Sequence, residues 1–404
     1  MTNSSGDKTA VQLRSWHKVI LIYFTLFGVL GTSITVRLPL VKDLLGVTPS
    51  LLGIILFVGS IGAIGSLNIS GRLIEKIGTK PAIVTGLLLM AFAVVCQVAF
   101  AVAGLWVGYM IFGFLVGCSY GFADVAINLD GTVLERKLEK SLMPRMHAAY
   151  SLGALAGAGL GTIATSINFP IMVQAAILAG IQILVVLTTV KTLPAGTGIE
   201  ETHADGEKLE RKTWLTPTVI FLGMALLGIT IAEGSSNDWL AIGLVSDYKA
   251  SATNAGIAYS VLMAAMTLTR FFGGNLADRF GKARTLQALA ITGVLGILLI
   301  IVGSPNIYLA WVGAALWGVG VALGFPLLLS AAGEADHAAK RVAFVAFWGY
   351  GAFIVGPPLL GFLGQAWGML HMYFIIAALL STAIFFAASA GNKRPEAGAA
   401  KTGH

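Results

Sequence analysis

Two short stretches of the chain carry the same pattern of glycine, leucine and paired charges: GRLIEKIG at residues 71–78 and GNLADRFG at residues 274–281. About half of the 404-residue chain separates them. The same offset aligns Gly117, Gly121 and Phe122 with Gly320, Gly324 and Phe325. A repeat of this length predicts two halves with the same fold.

Long apolar runs surround both stretches. A helix needs about 20 mostly apolar residues to cross a bilayer. Such runs predict spans near 19–38, 50–70, 81–103, 105–127, 144–166 and 168–190, and again near 217–243, 253–272, 283–303, 307–330, 341–364 and 367–390. A polar segment at 191–216 separates the two sets of six and is predicted to be a solvated linker.

The composition is that of a membrane protein. Hydrophobic residues make up 56% of the chain and charged residues 11%, whereas a soluble domain carries about 25% charged residues. Such a chain could not cover its surface in water, which excludes a soluble enzyme. Because the runs are continuously apolar, they do not fit the alternating strands of a β-barrel. The expected fold is all α-helical, with twelve transmembrane helices in two parallel repeats of six.

Lysine and arginine indicate the orientation. With a cytoplasmic N-terminus, only Arg37, Lys42 and Lys249 of the 26 Lys and Arg residues fall on the outer side. Cytoplasmic loops are enriched in these residues, so both termini are expected in the cytoplasm of a bacterium, with the chain as a multi-pass monomer in the lipid bilayer of the inner membrane. The same enrichment explains the net charge of +7, and no nucleic-acid partner is expected.

The loop at 274–282 resembles the cytoplasmic loop signature of the major facilitator superfamily, Gly-x-Leu-x-Asp-Arg-x-Gly-Lys. The likeness extends over the whole chain, through the number of spans, the central linker and a Gly-Pro-rich eleventh span. It implies an N-terminal six-helix bundle at 1–190, a cytoplasmic linker at 191–216 and a C-terminal bundle at 217–404. Parallel six-span repeats of this kind bind their solute near the middle of the membrane, where the repeats meet.

Both signature loops combine glycines with one acid and one base. The glycines allow tight turns, and the charges can pair across the cytoplasmic helix ends in one conformational state and separate in the other. Alternatively, the charges only fix the topology. The residues concerned are Gly71, Glu75, Lys76 and Gly78 in the first loop and Gly274, Asp278, Arg279 and Gly281 in the second.

A narrower resemblance lies in the fourth and fifth spans. Asp124-Val-Ala-Ile-Asn128 resembles the Glu-x-Ala-x-Asn segment of fucose-permease-like sugar/proton symporters, and the stretch from His147 to Gly153 resembles the polar start of their fifth helix. The resemblance implies a proton-binding carboxylate at Asp124 with polar solute contacts nearby. Those symporters carry an acid in the first span where this chain has Thr35. The chain is also similar to a poorly characterised bacterial subgroup of the superfamily, whose substrates the resemblance does not supply.

Few ionisable residues fall inside the predicted spans and away from their cytoplasmic ends: Arg37, Asp124, Glu233 and Asp238, with His147 at the start of a span. Arg270, at the cytoplasmic end of the eighth span, is expected to be structural and to reach helix-end carbonyls or the loop at 274–282. A charge at mid-helix costs about 2.5–3.5 kcal/mol on insertion scales, so such residues usually face the protein interior and either pair or titrate.

Asp124 is the first candidate for proton coupling. It lies one helical turn from Asn128, on the same face of the fourth span. A desolvated carboxyl group can be protonated near neutral pH, and its neutral form crosses between states more readily than the ionised form. The alternative is an interfacial acid that caps the end of the span. Glu233, inside the seventh span, is the second candidate.

Glu233, Asn237 and Asp238 cluster in the outer half of the seventh span, and Arg37 lies at the matching depth of the first. We expect Arg37 to pair with Glu233 or Asp238 as an outer gate, or to bind an anionic substrate. The alternative is that Arg37 and Asp238 extend to the outer surface at little cost. Further candidates for solute contact are Tyr120, His147, Trp348 and Tyr350, although aromatic residues in spans also serve as packing and interface anchors.

The sequence therefore predicts a secondary transporter that works by alternating access, with proton-coupled symport of a small polar solute as the leading form. It contains no ATP-binding Gly-x-x-x-x-Gly-Lys-Ser/Thr motif. Neither a metal nor another cofactor is expected, because the histidines and the two cysteines lack metal-ligand spacing. A drug/proton antiporter for efflux, facilitated diffusion without a titrating group, a non-transporting sensor and a membrane-embedded enzyme stay open. The cytoplasmic loops offer no recognisable catalytic array, so an enzyme is not expected.

Overall fold

A computed structural model describes residues 4–138, 142–199, 215–334 and 337–391. Within these ranges, twelve helical segments are long and apolar enough to cross a bilayer. The predicted number of spans and the all-α fold are thereby confirmed. Most of the linker predicted at 191–216 lies outside the described residues.

Seven helices and a 3-10 turn form the first half. They are α1 (Ser4–Thr35), α2 (Leu38–Leu45), α3 (Pro49–Ile77), α4 (Thr79–Val102), α5 (Trp106–Leu138), α6 (Met143–Ser166) and α7 (Ile171–Thr189), followed by the turn Val190–Thr192.

The second half also consists of seven helices and a 3-10 turn. Its elements are α8 (Pro217–Ser246), α9 (Ala252–Phe280), α10 (Lys282–Val302), α11 (Ile307–Val321), α12 (Gly324–Ala332), α13 (Ala338–Trp367) and α14 (Met369–Phe386), followed by the 3-10 turn Ala387–Ala390.

The helix breaks at two places, each just before a proline. The first break lies at the end of the first predicted span, between α1 and α2 and before Pro39, and the second interrupts the tenth predicted span between α11 and α12, before Pro326. Proline has no backbone N–H, so it cannot donate to the carbonyl four residues earlier. The carbonyl groups of Thr35 and Ala322 therefore lose their helical donors.

The two signature loops end in the same backbone turn. Gly78 and Gly281 have φ angles of +82° and +85°, a region that L-residues with a Cβ rarely adopt. Each glycine ends one helix and begins the next. The turn function predicted for these two glycines is confirmed.

Glycines also bring α6 close to α1. A Cβ atom added at Gly153 would overlap the backbone oxygen of Thr25, and one added at Gly157 or Gly161 would likewise meet α1 or the residues just after it. Small residues at this spacing let two helix backbones approach within a membrane.

The chain divides into two compact units. Of the described residues, the first contains 4–138, 142–199, 250–260 and 357–366, and the second contains 215–249, 261–334, 337–356 and 367–391. The first unit thus includes the start of α9 and the end of α13: Thr162 Oγ1 lies 3.0 Å from Ser260 Oγ, and Ser50 N–H donates to Gln365 Oε1 at 3.2 Å.

Candidate functional site

Asp124 lies on α5, in the first unit, and its bonded side-chain partner is neutral. Asn128 Nδ2 donates to Asp124 Oδ1 at 3.0 Å and to the Asp124 backbone oxygen at 2.8 Å. The shared helix face predicted for the two residues is confirmed. Among the described residues, no ion pair involves Asp124. The carboxyl group is therefore held in place without a compensating positive charge.

Aromatic rings lie one turn along the same helix. Tyr120 stacks on Phe27 of α1 with ring centroids 4.3 Å apart, and its hydroxyl lies 3.1 Å from that of Tyr150 on α6. The ring of His147 packs against Phe24 at 5.5 Å. Tyr120 and His147 were predicted from the sequence as candidate solute contacts; Tyr150 was not, although it lies inside the stretch that begins at His147. Three helices thus place hydroxyl groups and aromatic surfaces together in this unit.

Arg37 is buried at the break between α1 and α2, with only 5% of its surface exposed. Its Nη1 donates to Gln174 Oε1 on α7 at 2.7 Å, and Gln174 Nε2 donates to the Ser33 backbone oxygen at 3.2 Å. Gln174 therefore bridges the two sides of the break. The partner of Arg37 is a neutral amide rather than the predicted acid, and the alternative of a guanidinium extending to the outer surface is wrong.

Glu233, on α8 in the second unit, also has a partner that sequence analysis did not predict. Arg270 Nη2 on α9 donates to Glu233 Oε1 at 2.6 Å. The pairing expected between Glu233 and Arg37 is thus replaced by an ion pair with Arg270. The sequence predicted contacts of Arg270 with helix-end carbonyls or the loop at 274–282, but not its pairing with Glu233. Asn237 Nδ2 donates to the Glu233 backbone oxygen at 3.2 Å, one turn further along α8.

Arg270 also donates a hydrogen bond at the break in the tenth span. Its Nε donates to the backbone oxygen of Ala322 at 3.1 Å. This is the carbonyl that Pro326 leaves without a helical donor, so a neighbouring side chain replaces the missing backbone bond. One guanidinium therefore joins α8, α9 and the α11–α12 break.

The remaining candidates in the second unit differ in their surroundings. Asp238 is half-buried and forms no ion pair within the described part of the chain. Trp348 lies against α8, where a Cβ at Gly223 would overlap its ring. Tyr350 is 37% exposed and meets Phe325 edge-on at 6.2 Å. The Trp348 ring thus packs against α8, whereas part of the Tyr350 side chain is exposed.

The signature loops lie at helix ends. Asp278 and Arg279 are exposed, and neither forms an ion pair with a described residue. The Arg279 guanidinium instead lies 5.2 Å from the ring centroid of Phe280. The ion pair of this region joins Lys282, the residue after Gly281, to Glu334. The gating contact expected from the second loop is therefore absent between those two charges in this structure.

The equivalent contact in the first half is buried. Thr79, the residue after Gly78, donates to Asp130 Oδ1 at 2.6 Å, and Trp16 Nε1 donates to Asp130 Oδ2 at 2.5 Å. Asp130 was missed because the fourth span was predicted to end at residue 127, whereas α5 continues to Leu138.

Comparisons with known proteins agree with this architecture. The family model of the Major Facilitator Superfamily matches residues 19–335 and 214–403. A protein named as an uncharacterised transporter, y4wD of Sinorhizobium fredii, is 30% identical over 366 residues, which cover 87% of this chain and 92% of that protein.

Two solved structures share the fold. The nucleoside transporter NupG superposes with a TM-score of 0.71 at 15% identity, covering 93% of this chain and 98% of that one. The fucose:proton symporter FucP of E. coli superposes with a TM-score of 0.60 at 17% identity, with coverages of 93% and 98%. The family match, the relative and the twelve spans lead to one conclusion: the chain is a multi-pass membrane protein that belongs to the major facilitator superfamily.

Proposed function

We propose that this protein is a proton-coupled symporter of a small polar solute, with Asp124 as the group that binds the proton. The observation that carries the proposal is the contrast between the two acids at mid-span. Glu233 is neutralised by Arg270 at 2.6 Å, whereas the side-chain partner of Asp124 is the neutral Asn128.

This contrast favours Asp124 over Glu233 as the residue that binds the proton. An ionised carboxylate without a cation is costly inside a membrane and is relieved by taking up a proton. A carboxylate in an ion pair is stabilised in its charged form. Asp124 therefore gains most from binding a proton, and Glu233 acts as a counter-charge.

The surroundings of Asp124 suit a polar solute. Tyr120 and Tyr150 offer hydroxyl groups 3.1 Å apart beside the stacked ring of Phe27. Hydroxyl groups orient a ligand by hydrogen bonds, and aromatic faces cover its apolar side. NupG and FucP, which share the fold, are named as a nucleoside transporter and a fucose:proton symporter.

We further propose that the protein works as a monomer in the inner membrane of a bacterium, with both termini in the cytoplasm and a division into bundles at 1–190 and 217–404. The strong bias of Lys and Arg toward one set of loops supports this orientation.

The test is proton-driven flux in proteoliposomes. With a solute found by thermal-shift screening, the Asp124→Asn variant should lose at least about 90% of uptake driven by a pH gradient while it retains solute exchange, because one ionisable group couples the two fluxes. Asp43→Asn, a change at an exposed outer carboxylate, serves as the matched control. Driven uptake that survives in Asp124→Asn contradicts the assignment.

A further inference from the structure

The ion pair between Glu233 and Arg270 lies deep within its helices. Glu233 is near the middle of α8, and Arg270, which lies about 6 Å along α9 before Gly274 at 1.5 Å per residue, reaches it with its long side chain. Charges at such depth persist only where protein or water surrounds them.

The pair is accessible as well as deep. The side chain of Arg270 is 32% exposed and that of Glu233 is 17% exposed. Because an exposed guanidinium at this depth cannot face hydrocarbon, its open surface borders a polar space. Part of the cation is therefore open to that space and not enclosed by protein.

The guanidinium is fixed on one side and open on the other. Nε is held by the Ala322 oxygen at 3.1 Å, and Nη2 is held by Glu233 Oε1 at 2.6 Å. Nη1 has no hydrogen-bond partner within the described residues. Glu233 uses a single oxygen, although a carboxylate can engage both terminal nitrogens of an arginine. A second oxyanion could therefore bind Nη1 and compete with Glu233 for Nη2.

We propose that Arg270 binds the transported solute and selects for an oxyanion, a carboxylate or a phosphate, with Glu233 as the counter-charge of the unloaded site. The inference rests on the proposed transport function and adds the charge class of its substrate. The hydrogen bond to Ala322 keeps the guanidinium in place when Glu233 yields to the solute.

The test uses purified full-length protein and a defined pool of solutes in matched charge classes. On a hexose skeleton the probes are glucuronate, glucose 6-phosphate, glucose and glucosamine; on a three-carbon skeleton they are glycerate, glycerol 3-phosphate, glycerol and serinol. Equilibrium dialysis with mass spectrometry measures which probes the protein retains, and the two anions of each skeleton separate carboxylate from phosphate preference.

Three variants make the result specific. Glu233→Gln should raise retention of the preferred anion about threefold to tenfold, because a competing charge is removed. The double variant Arg270→Gln/Glu233→Gln, which buries no unpaired charge, should reduce that retention to the level of the neutral probe. Arg284→Gln, a change at an exposed arginine on α10, should behave like the wild-type protein.

The assignment is overturned if the protein retains only neutral or cationic probes, or if it retains none of the anionic probes. It is also overturned if the double variant retains the anion as well as the wild-type protein does. A fall in anion retention in Glu233→Gln also counts against the assignment. If the pair is only structural, removal of the carboxylate is not expected to increase anion binding. If neutral solutes are bound and Asp124 still couples uptake to protons, the anion class fails while the proposed function stands. If an anion is bound through Arg270 but no variant or pH gradient affects flux, the proposed function fails instead.

Discussion

Thr79 Oγ1 donates a hydrogen bond of 2.6 Å to Asp130 Oδ1, and both side chains are completely buried. Thr79 directly follows the glycine that closes the first signature loop. Its equivalent in the second half is Lys282, which pairs with Glu334, and 58% of the Glu334 side chain is exposed. The two halves thus tie the same loop position to an acidic side chain, once in the interior and once at the surface.

This difference in burial predicts unequal costs for equivalent mutations. Thr79→Ala leaves a buried carboxylate short of one donor, a loss of about 1.5–3 kcal/mol for a charged acceptor. Lys282→Ala removes an exposed ion pair, for which about 0–1 kcal/mol is typical. Thermal unfolding of the two variants in the same detergent should show a clear fall in Tm only for Thr79→Ala, and equal shifts would contradict the comparison.

A second prediction concerns the contact between α1 and α6. Gly153→Ala places a methyl group against the backbone oxygen of Thr25, and overpacking of this kind costs about 1–3 kcal/mol or more. Gly159, on the same helix, has nothing within 4 Å of an added Cβ. Gly159→Ala should leave Tm unchanged or slightly higher, whereas Gly153→Ala should lower it. A stable Gly153→Ala variant would mean that α1 and α6 are not packed through this glycine.

A third prediction concerns the buried guanidinium of Arg37. Gln174→Leu removes the acceptor that Arg37 Nη1 bonds at 2.7 Å and leaves a buried charged donor unsatisfied, which costs about 1–3 kcal/mol. Arg37→Met in the same chain removes that charge. The double variant Arg37→Met/Gln174→Leu should therefore recover most of the Tm lost in Gln174→Leu, as a double-mutant cycle can measure. If the second mutation lowers Tm further, Arg37 stabilises the break without its amide partner.

Local spacing explains which site relationships were predictable. Asp124 and Asn128 lie one turn apart on one helix, so helical periodicity alone brings their side chains together. The turns at Gly78 and Gly281 follow from a repeated motif. Helical periodicity does not indicate which neighbouring helix a residue faces. For that reason Glu233 was assigned the wrong partner, and Gln174 was not recognised as the partner of Arg37.

The length of a span was predicted less well than its existence. Hydropathy locates only the apolar centre of a helix. The helix α5 continues for another eleven residues past its predicted end at 127, where side chains of other helices supply hydrogen bonds to a polar residue. Asp130 is the clearest case, since Trp16 and Thr79 supply its hydrogen bonds.

The amino-acid sequence by itself determined that this protein has twelve apolar helices in two related halves. Each segment must by itself be long enough and apolar enough to cross the bilayer, so its own residues reveal it. Only the tertiary structure decided which buried charges are compensated. Arg270 reaches both Glu233 and the carbonyl freed by Pro326, whereas the side-chain partner of Asp124 within the described ranges is the amide of Asn128. Those differences arise from how neighbouring helices rotate and pack against one another, which no stretch of a single helix encodes.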